Sequence, residues 1–91
     1  MAPVLATLRV NDPIGLHSRP AGLIVKFINE HSLSARIGKV GQDLVPANSP
    51  LRLMALKAKS GDQLLLEIDT DDKELAYRVA AELQLILDGN Q

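Results

Sequence analysis

Residues 15–30 read GLHSRPAGLIVKFINE, and this stretch decides the fold. Ala21, Ile24, Val25 and Ile28 stand at i, i+3, i+4 and i+7, the spacing that lines one face of a helix with apolar side chains. Pro20 suits a first helical turn, where the N–H it lacks has no intrahelical partner. The pattern predicts a helix over Ser18–Glu30, starting within a residue or two of His17 and ended by Asn29 and His31-Ser32.

Upstream, Val4 to Val10 alternates Val4, Ala6, Leu8 and Val10 against Leu5, Thr7 and Arg9, which predicts a strand with one apolar face. Asn11-Asp12-Pro13 breaks it, and Ile14-Gly15-Leu16 continues as loop. Downstream, Leu33 to Val40 predicts a second strand with Leu33, Ala35 and Ile37 on one face. Gly41-Gln42-Asp43 turns into a short third strand, Leu44-Val45, which Pro46 cuts off or confines to a sheet edge. Ser49 as N-cap and Pro50 at the first helical position open a second helix that runs from Leu51 to Lys57.

After Ser60-Gly61-Asp62, Gln63 to Ile68 predicts a fourth strand, interior because its leucines are continuous. Lys73 to Asp88 carries the strongest stripe, Leu75, Ala76, Val79, Ala80, Leu83, Ile86 and Leu87, with Gly89-Asn90 as its stop. The order is β-α-β-β-α-β-α. It implies an α+β fold: an open-faced two-layer sandwich with three helices on one face of a small, mostly antiparallel four-stranded sheet.

The chain has 91 residues, the length of a single domain spanning 1–91, and 46% of them are hydrophobic. Phe27 and Tyr77 are its aromatic residues, both read as packing residues, so the core must be aliphatic. Cysteine is absent, which excludes a disulfide scaffold and thiolate metal sites, and two histidines, His17 and His31, are too few for a histidine-built metal centre. Ten Lys and Arg against eleven Asp and Glu give a net charge of −1, without the basic surplus and stacking aromatics of a nucleic-acid binder. No apolar run approaches the roughly 20 residues of a bilayer span, and Met1 to Thr7 has no basic region ahead of an apolar stretch. The default is a cytoplasmic, soluble domain with no membrane insertion. Met1 and the capped C-terminus favour a free-standing chain over a piece of a longer polypeptide.

The chemistry concentrates in Gly15 to Ala21. The first N–H groups of a helix lack partners, and the macrodipole adds about half a positive charge there, a ready anion site. Gly15 would let backbone approach a ligand closely, and Arg19 brings a forked cation suited to phosphate. Histidine is a recognised covalent nucleophile, so these residue types suit a His17 that accepts a phosphoryl group and passes it on. A capping or merely solvated His17, and an Arg19 without a role, are the plainer alternatives.

The segment GLHSRPA resembles the GLHARPA-type signature of the HPr family, the histidine-containing phosphocarriers of the bacterial phosphoenolpyruvate:sugar phosphotransferase system. The stretch Ala47 to Leu56 is similar to that family's regulatory-serine segment, Gly61 matches a glycine that follows it, and the element order agrees. The resemblance implies that His17 is phosphorylated on Nδ1, that Arg19 assists, and that the Ser18 and Arg19 backbone N–H groups hold the phosphate. Ser49 aligns with a serine that an ATP-dependent kinase phosphorylates in some lineages, which would add a serine kinase and phosphorylase to the partners. Enzyme I would be the donor and enzyme IIA domains the acceptors. A monomeric, stoichiometric carrier of this kind is not an enzyme in its own right and needs no cofactor. The chain departs from the family pattern at Pro50, where an aliphatic residue is usual, at Lys57, where glycine is common, and in a longer loop holding Pro46.

Over residues 50–55 Arg52 is the sole charge, and not every apolar side chain there can face the core. Leu51 and Met54 share a face and, with Arg52 and Ala55, offer a small docking patch with Lys26 as a further rim charge. A regulatory phosphoprotein of nitrogen or carbon metabolism, signalling by the state of His17 or Ser49, is the alternative function. A hydrolase using His17 as general base would have Asp12 and Ser18 as its nearest help. His31 sits where it can meet the last carbonyls of the first helix. Asp69, Asp71 and Asp72 lack the glycine and glutamate of a calcium loop and read as a solvated turn.

Overall fold

The computed structural model describes residues 2–89; Met1, Asn90 and Gln91 lie outside them, and so do the ends of the expected domain and Asn90's part in the final stop. The elements follow the expected order: β1 (Val4–Arg9), α1 (Ser18–Glu30), β2 (Ala35–Lys39), β3 (Val45–Pro46), α2 (Pro50–Ala55), β4 (Gln63–Ile68) and α3 (Lys73–Leu87). The strands form one sheet in the order β1-β4-β2-β3, and every pairing is antiparallel.

β4 is flanked on both sides, pairing Val4↔Ile68 through Arg9↔Gln63 with β1 and Ala35↔Ile68 through Lys39↔Leu64 with β2. That explains its run of leucines: Leu64 and Leu66 point into the core, while Leu65 is half-buried on the open face between Thr7 and Gly38. On the same open face Arg36 of β2 pairs with Glu67 of β4 at 2.6 Å. The inward side chains Leu8, Ile37, Leu64, Leu66 and Ile68 meet Ala21, Ile24 and Ile28 of α1 and Ala76, Val79, Leu83 and Leu87 of α3 in one aliphatic cluster. Each such Leu or Ile contributes about 1.5–3 kcal/mol by leaving water.

α1 and β4 match the expected bounds, and the other elements differ at their ends for local reasons. β1 stops at Arg9 and α3 at Leu87, each one residue early, because Val10 turns into a loop and Asp88 caps its helix. β2 starts late. Residues 31–34 are spent leaving α1, with Ser32 at φ +52 and the Leu33 N–H returning to the Ile28 carbonyl at 3.1 Å. β3 is shifted by one residue, and Pro46 stands within it opposite Arg36; as the outermost strand it leaves proline no ladder bond to lose. α2 is shorter than Leu51–Lys57: Leu56 is its C-cap and Lys57 takes φ +53, a left-handed conformation that ends a helix.

Caps account for the remaining boundaries. The Asp72 carboxylate accepts the Leu75 N–H at 3.0 Å, so the acidic turn before α3 is a helix cap. His31 Nδ1 donates to the Phe27 carbonyl at 2.9 Å and its ring stacks on Phe27 at 4.2 Å, a C-terminal cap as its position suggested. Tyr77 is exposed, contrary to the packing role expected of it, because it lies one residue off the buried stripe. Among the described residues no helix is long and apolar enough to cross a membrane.

Candidate functional site

The β1–α1 loop is held from three sides by backbone bonds. Val10 exchanges bonds with the β4 approach, donating to the Asp62 carbonyl at 2.9 Å and accepting from Gly61 at 2.6 Å. The Leu87 carbonyl, in the last turn of α3, accepts the N–H groups of both Asn11 (3.0 Å) and Asp12 (2.9 Å). Leu16 donates to the Ala58 carbonyl at 3.0 Å, tying the loop to the segment after α2. Asp88 accepts from the side chains of Asn11 and Gln84, each at 2.8 Å.

Gly15 sits at φ +91, and a Cβ there would lie 2.7 Å from the Ala58 carbonyl oxygen. The close approach that demands glycine is therefore to the chain's own backbone, where the sequence suggested a ligand. The loop delivers His17 to the start of α1 in extended conformation, and the Ala21 N–H reaches back to its carbonyl at 3.1 Å.

His17 is thus the N-cap of α1 by position, yet its side chain makes no capping bond. The Ser18 and Arg19 N–H groups lie in the unpaired first turn, and Pro20 has none to leave unpaired. The imidazole turns instead to Asp12: Nε2 lies 3.0 Å from Oδ2, with the His17 side chain 28% exposed and that of Asp12 12%. The other Asp12 oxygen accepts the Ile14 N–H at 2.9 Å. This backbone bond first, and the His17 contact second, hold the Asp12 carboxyl below the usual carboxylate range against the opposing effect of burial. The carboxylate is an acceptor only, so the proton between the two groups belongs to Nε2, and Nδ1 is the ring nitrogen that Asp12 leaves unengaged.

Arg19 is exposed and, among the described residues, in no ion pair. It lines one shallow hollow with Asp12, Ile14, His17, Leu23 and Ile86. A fixed cation, an uncapped helix start and a half-exposed imidazole converge there, which suits the transfer of an anionic group to or from the ring. Ser18 is exposed, and among the described residues no side-chain bond links it to His17, so the Asp12–His17 pair lacks the serine of a hydrolytic triad. No group of three or more His, Asp or Glu side chains is gathered as a metal site among the described residues.

The second group of expected residues stands on α2, outside this hollow. Ser49 is a half-buried N-cap whose Oγ accepts the Arg52 N–H at 3.3 Å. Leu51, Arg52 and Ala55 are exposed, Met54 is half-buried, and Leu53 is the α2 residue that fills the core. Lys26 is exposed on α1, the helix against which α2 packs. Sequence reasoning named Asp12 as the nearest carboxylate to His17 only for a hydrolase and gave it no part in phosphoryl transfer, and it missed Ile14, an apolar residue 75% exposed that lines the same hollow. An Asp five residues ahead of a histidine follows no helical or strand period; only the closed loop brings the two together.

A family model described as "PTS HPr component phosphorylation site" matches residues 4–84. A protein named phosphocarrier protein HPr from Borreliella burgdorferi is 39% identical over 69 residues, covering 76% of this chain and 79% of that protein. Another of the same name, from Haloferax volcanii, is 34% identical over 71 residues, 77% of this chain and 80% of that one. Among solved structures, HPr-C-His from Thermoanaerobacter tengcongensis superposes with a TM-score of 0.78 at 27% identity, covering 97% of this chain and 98% of its own. Phosphocarrier protein HPr from Bacillus anthracis gives a TM-score of 0.74 at 29% identity, over 89% of this chain and 96% of its own.

Proposed function

The chain belongs to the HPr family of phosphocarriers of the phosphotransferase system, and from that premise we propose that it accepts a phosphoryl group on Nδ1 of His17 from phospho-enzyme I and passes it to enzyme IIA domains. The observation that carries this is the start of α1. His17 occupies the N-cap without capping the helix, so the Ser18 and Arg19 N–H groups are left for the oxygens of a phosphate on the ring. Hydrogen bonds to a charged group contribute about 1.5–3 kcal/mol each, which makes the phosphate the cap that the helix otherwise lacks. The Arg19 guanidinium adds a cation at the same hollow, with no other anion claiming it among the described residues.

Leu51, Arg52, Met54 and Ala55 form the docking patch in this proposal, supported by the exposure of Leu51 on a helix packed against α1. Transient contact is what a carrier needs, because a tight complex would stall transfer. Regulation at Ser49 has weaker support: its hydroxyl is engaged as the α2 cap, and Pro50 alters what a kinase would read. A single cytoplasmic, monomeric unit over residues 1–91, used stoichiometrically and not as an independent enzyme, completes the proposal.

Incubation with enzyme I, phosphoenolpyruvate and Mg²⁺ should add one acid-labile phosphate per chain. Its persistence in a His17→Ala variant would refute the assignment.

A further inference from the structure

We propose that Asp12 is the positioning residue that chooses which nitrogen of His17 receives the phosphoryl group; this rests on His17 being the acceptor. Asp12 is held at every polar atom. Its N–H donates to the Leu87 carbonyl at 2.9 Å, its own carbonyl accepts from Gly15 at 2.9 Å, and Oδ1 accepts from Ile14 at 2.9 Å. Oδ2 is left for His17 Nε2, at 3.0 Å. Gly89 closes the back of the carboxyl group: a Cβ there would lie 3.1 Å from both Cγ and Oδ2 of Asp12. The carboxylate therefore has one orientation, set by the last turn of α3 and by the loop itself.

An ionised carboxylate accepts hydrogen bonds and donates none, so a neutral His17 keeps its one ring proton on Nε2. The in-plane lone pair is then on Nδ1. In the transfer step that pair forms a bond to the phosphorus of a phosphohistidine on the donor protein. The donor's nitrogen–phosphorus bond breaks, and its electron pair stays on the donor nitrogen. His17 retains Nε2–H, so its ring takes up a positive charge directly against the Asp12 carboxylate. When a nucleophile of the acceptor protein takes the phosphoryl group, the bonding pair returns to Nδ1 and the ring is neutral again. Asp12 thus presents the nucleophilic nitrogen and offsets the ring charge that transfer creates.

Two substitutions separate this role from simple loop support. In Asp12→Asn the side-chain oxygen can stay on the Ile14 N–H, which places the amide NH2 against Nε2. Nε2 must then accept, and the ring proton moves to Nδ1, blocking the nucleophile. In Asp12→Ala the ring loses its partner and both tautomers are populated. Histidine-detected ¹H–¹⁵N spectra of the wild type should show Nε2–H on His17, and those of Asp12→Asn should show Nδ1–H.

Phosphorylation by enzyme I should fall on the order of ten-fold in Asp12→Ala and a hundred-fold in Asp12→Asn, below the ~10⁴-fold that a misplaced tautomer costs in a more enclosed site. A purely structural Asp12 gives the opposite ranking, with the isosteric Asn the milder change, and that ranking overturns the proposal. So does an Nδ1–H tautomer in the wild type, a measurement that needs no variant to fold. Absence of phosphate on wild-type His17 refutes the carrier function itself, whereas phosphate there with equal rates in the two variants refutes only the part given to Asp12.

Discussion

The side-chain amide of Gln84 in α3 pairs with the backbone of Arg9 as a neighbouring strand would: Oε1 accepts the Arg9 N–H at 2.9 Å and Nε2 donates to its carbonyl at 2.8 Å. This joins the end of β1 to α3 immediately before the loop that carries His17. A second donation from Nε2, to Asp88 at 2.8 Å, extends the link to Asn11. Gln84→Ala should cost about 1–2 kcal/mol, the net worth of a few partly exposed hydrogen bonds. Urea unfolding should show a lower midpoint at an unchanged slope, since no large surface is newly exposed.

Gly15→Ala should be far more damaging than its size suggests. The residue stands at φ +91, and the added methyl would sit 2.7 Å from the Ala58 carbonyl oxygen that receives the Leu16 N–H. Strain in the left-handed region and a lost backbone bond together predict at least about 2 kcal/mol of destabilisation. Thermal unfolding measures this, and phosphate incorporation at His17 should fall with it because the same loop sets the ring.

Lys57→Gly should stabilise the protein. Lys57 takes φ +53 just beyond the Leu56 cap of α2, where glycine adopts the same conformation without a Cβ penalty. The gain should be about 0.5–1 kcal/mol after the greater freedom of glycine in the unfolded chain is subtracted. An unchanged or lower unfolding midpoint would contradict it.

Acid should destabilise the fold through three carboxylates near the loop. Asp12 is held below its ordinary range by the Ile14 N–H and His17, Asp62 by the Lys59 N–H, and Asp88 by the side chains of Asn11 and Gln84. Each binds fewer protons folded than unfolded. Its contribution is therefore complete above the ordinary carboxylate value of about 4 and is lost as pH falls through the depressed folded value. Unfolding free energy measured from pH 6 down to about pH 2 should decline over this window, and Asp88→Asn should flatten the decline.

The parts of this fold that were legible in the sequence are those set by local rules. Ser18–Glu30 carries an apolar stripe and a proline in its first turn, and Gln63–Ile68 carries leucines that a flanked strand accommodates, so both were bounded correctly. The limits of α2 and β3 were not, because they depend on a lysine in a left-handed conformation and on a proline tolerated at an edge. His17 was legible because a helix start is a local feature. Asp12 was legible as the nearest carboxylate in the chain, but its contact with the ring was not, because that depends on a carbonyl at the far end of the chain, that of Leu87.

The two outer strands of the sheet also bear on how this protein meets other chains. On one side β3 is only Val45–Pro46, and proline has no N–H to offer a strand laid beside it. On the other, the outward N–H and carbonyl of Arg9 are already taken by Gln84. Both borders are interrupted, β3 by its length and its proline and β1 at its Arg9 end, and each break shortens the row of unclaimed backbone groups that invites strands of separate molecules to join into an extended sheet. Edge-to-edge joining of two copies is thereby opposed at β3 and at the Arg9 end of β1.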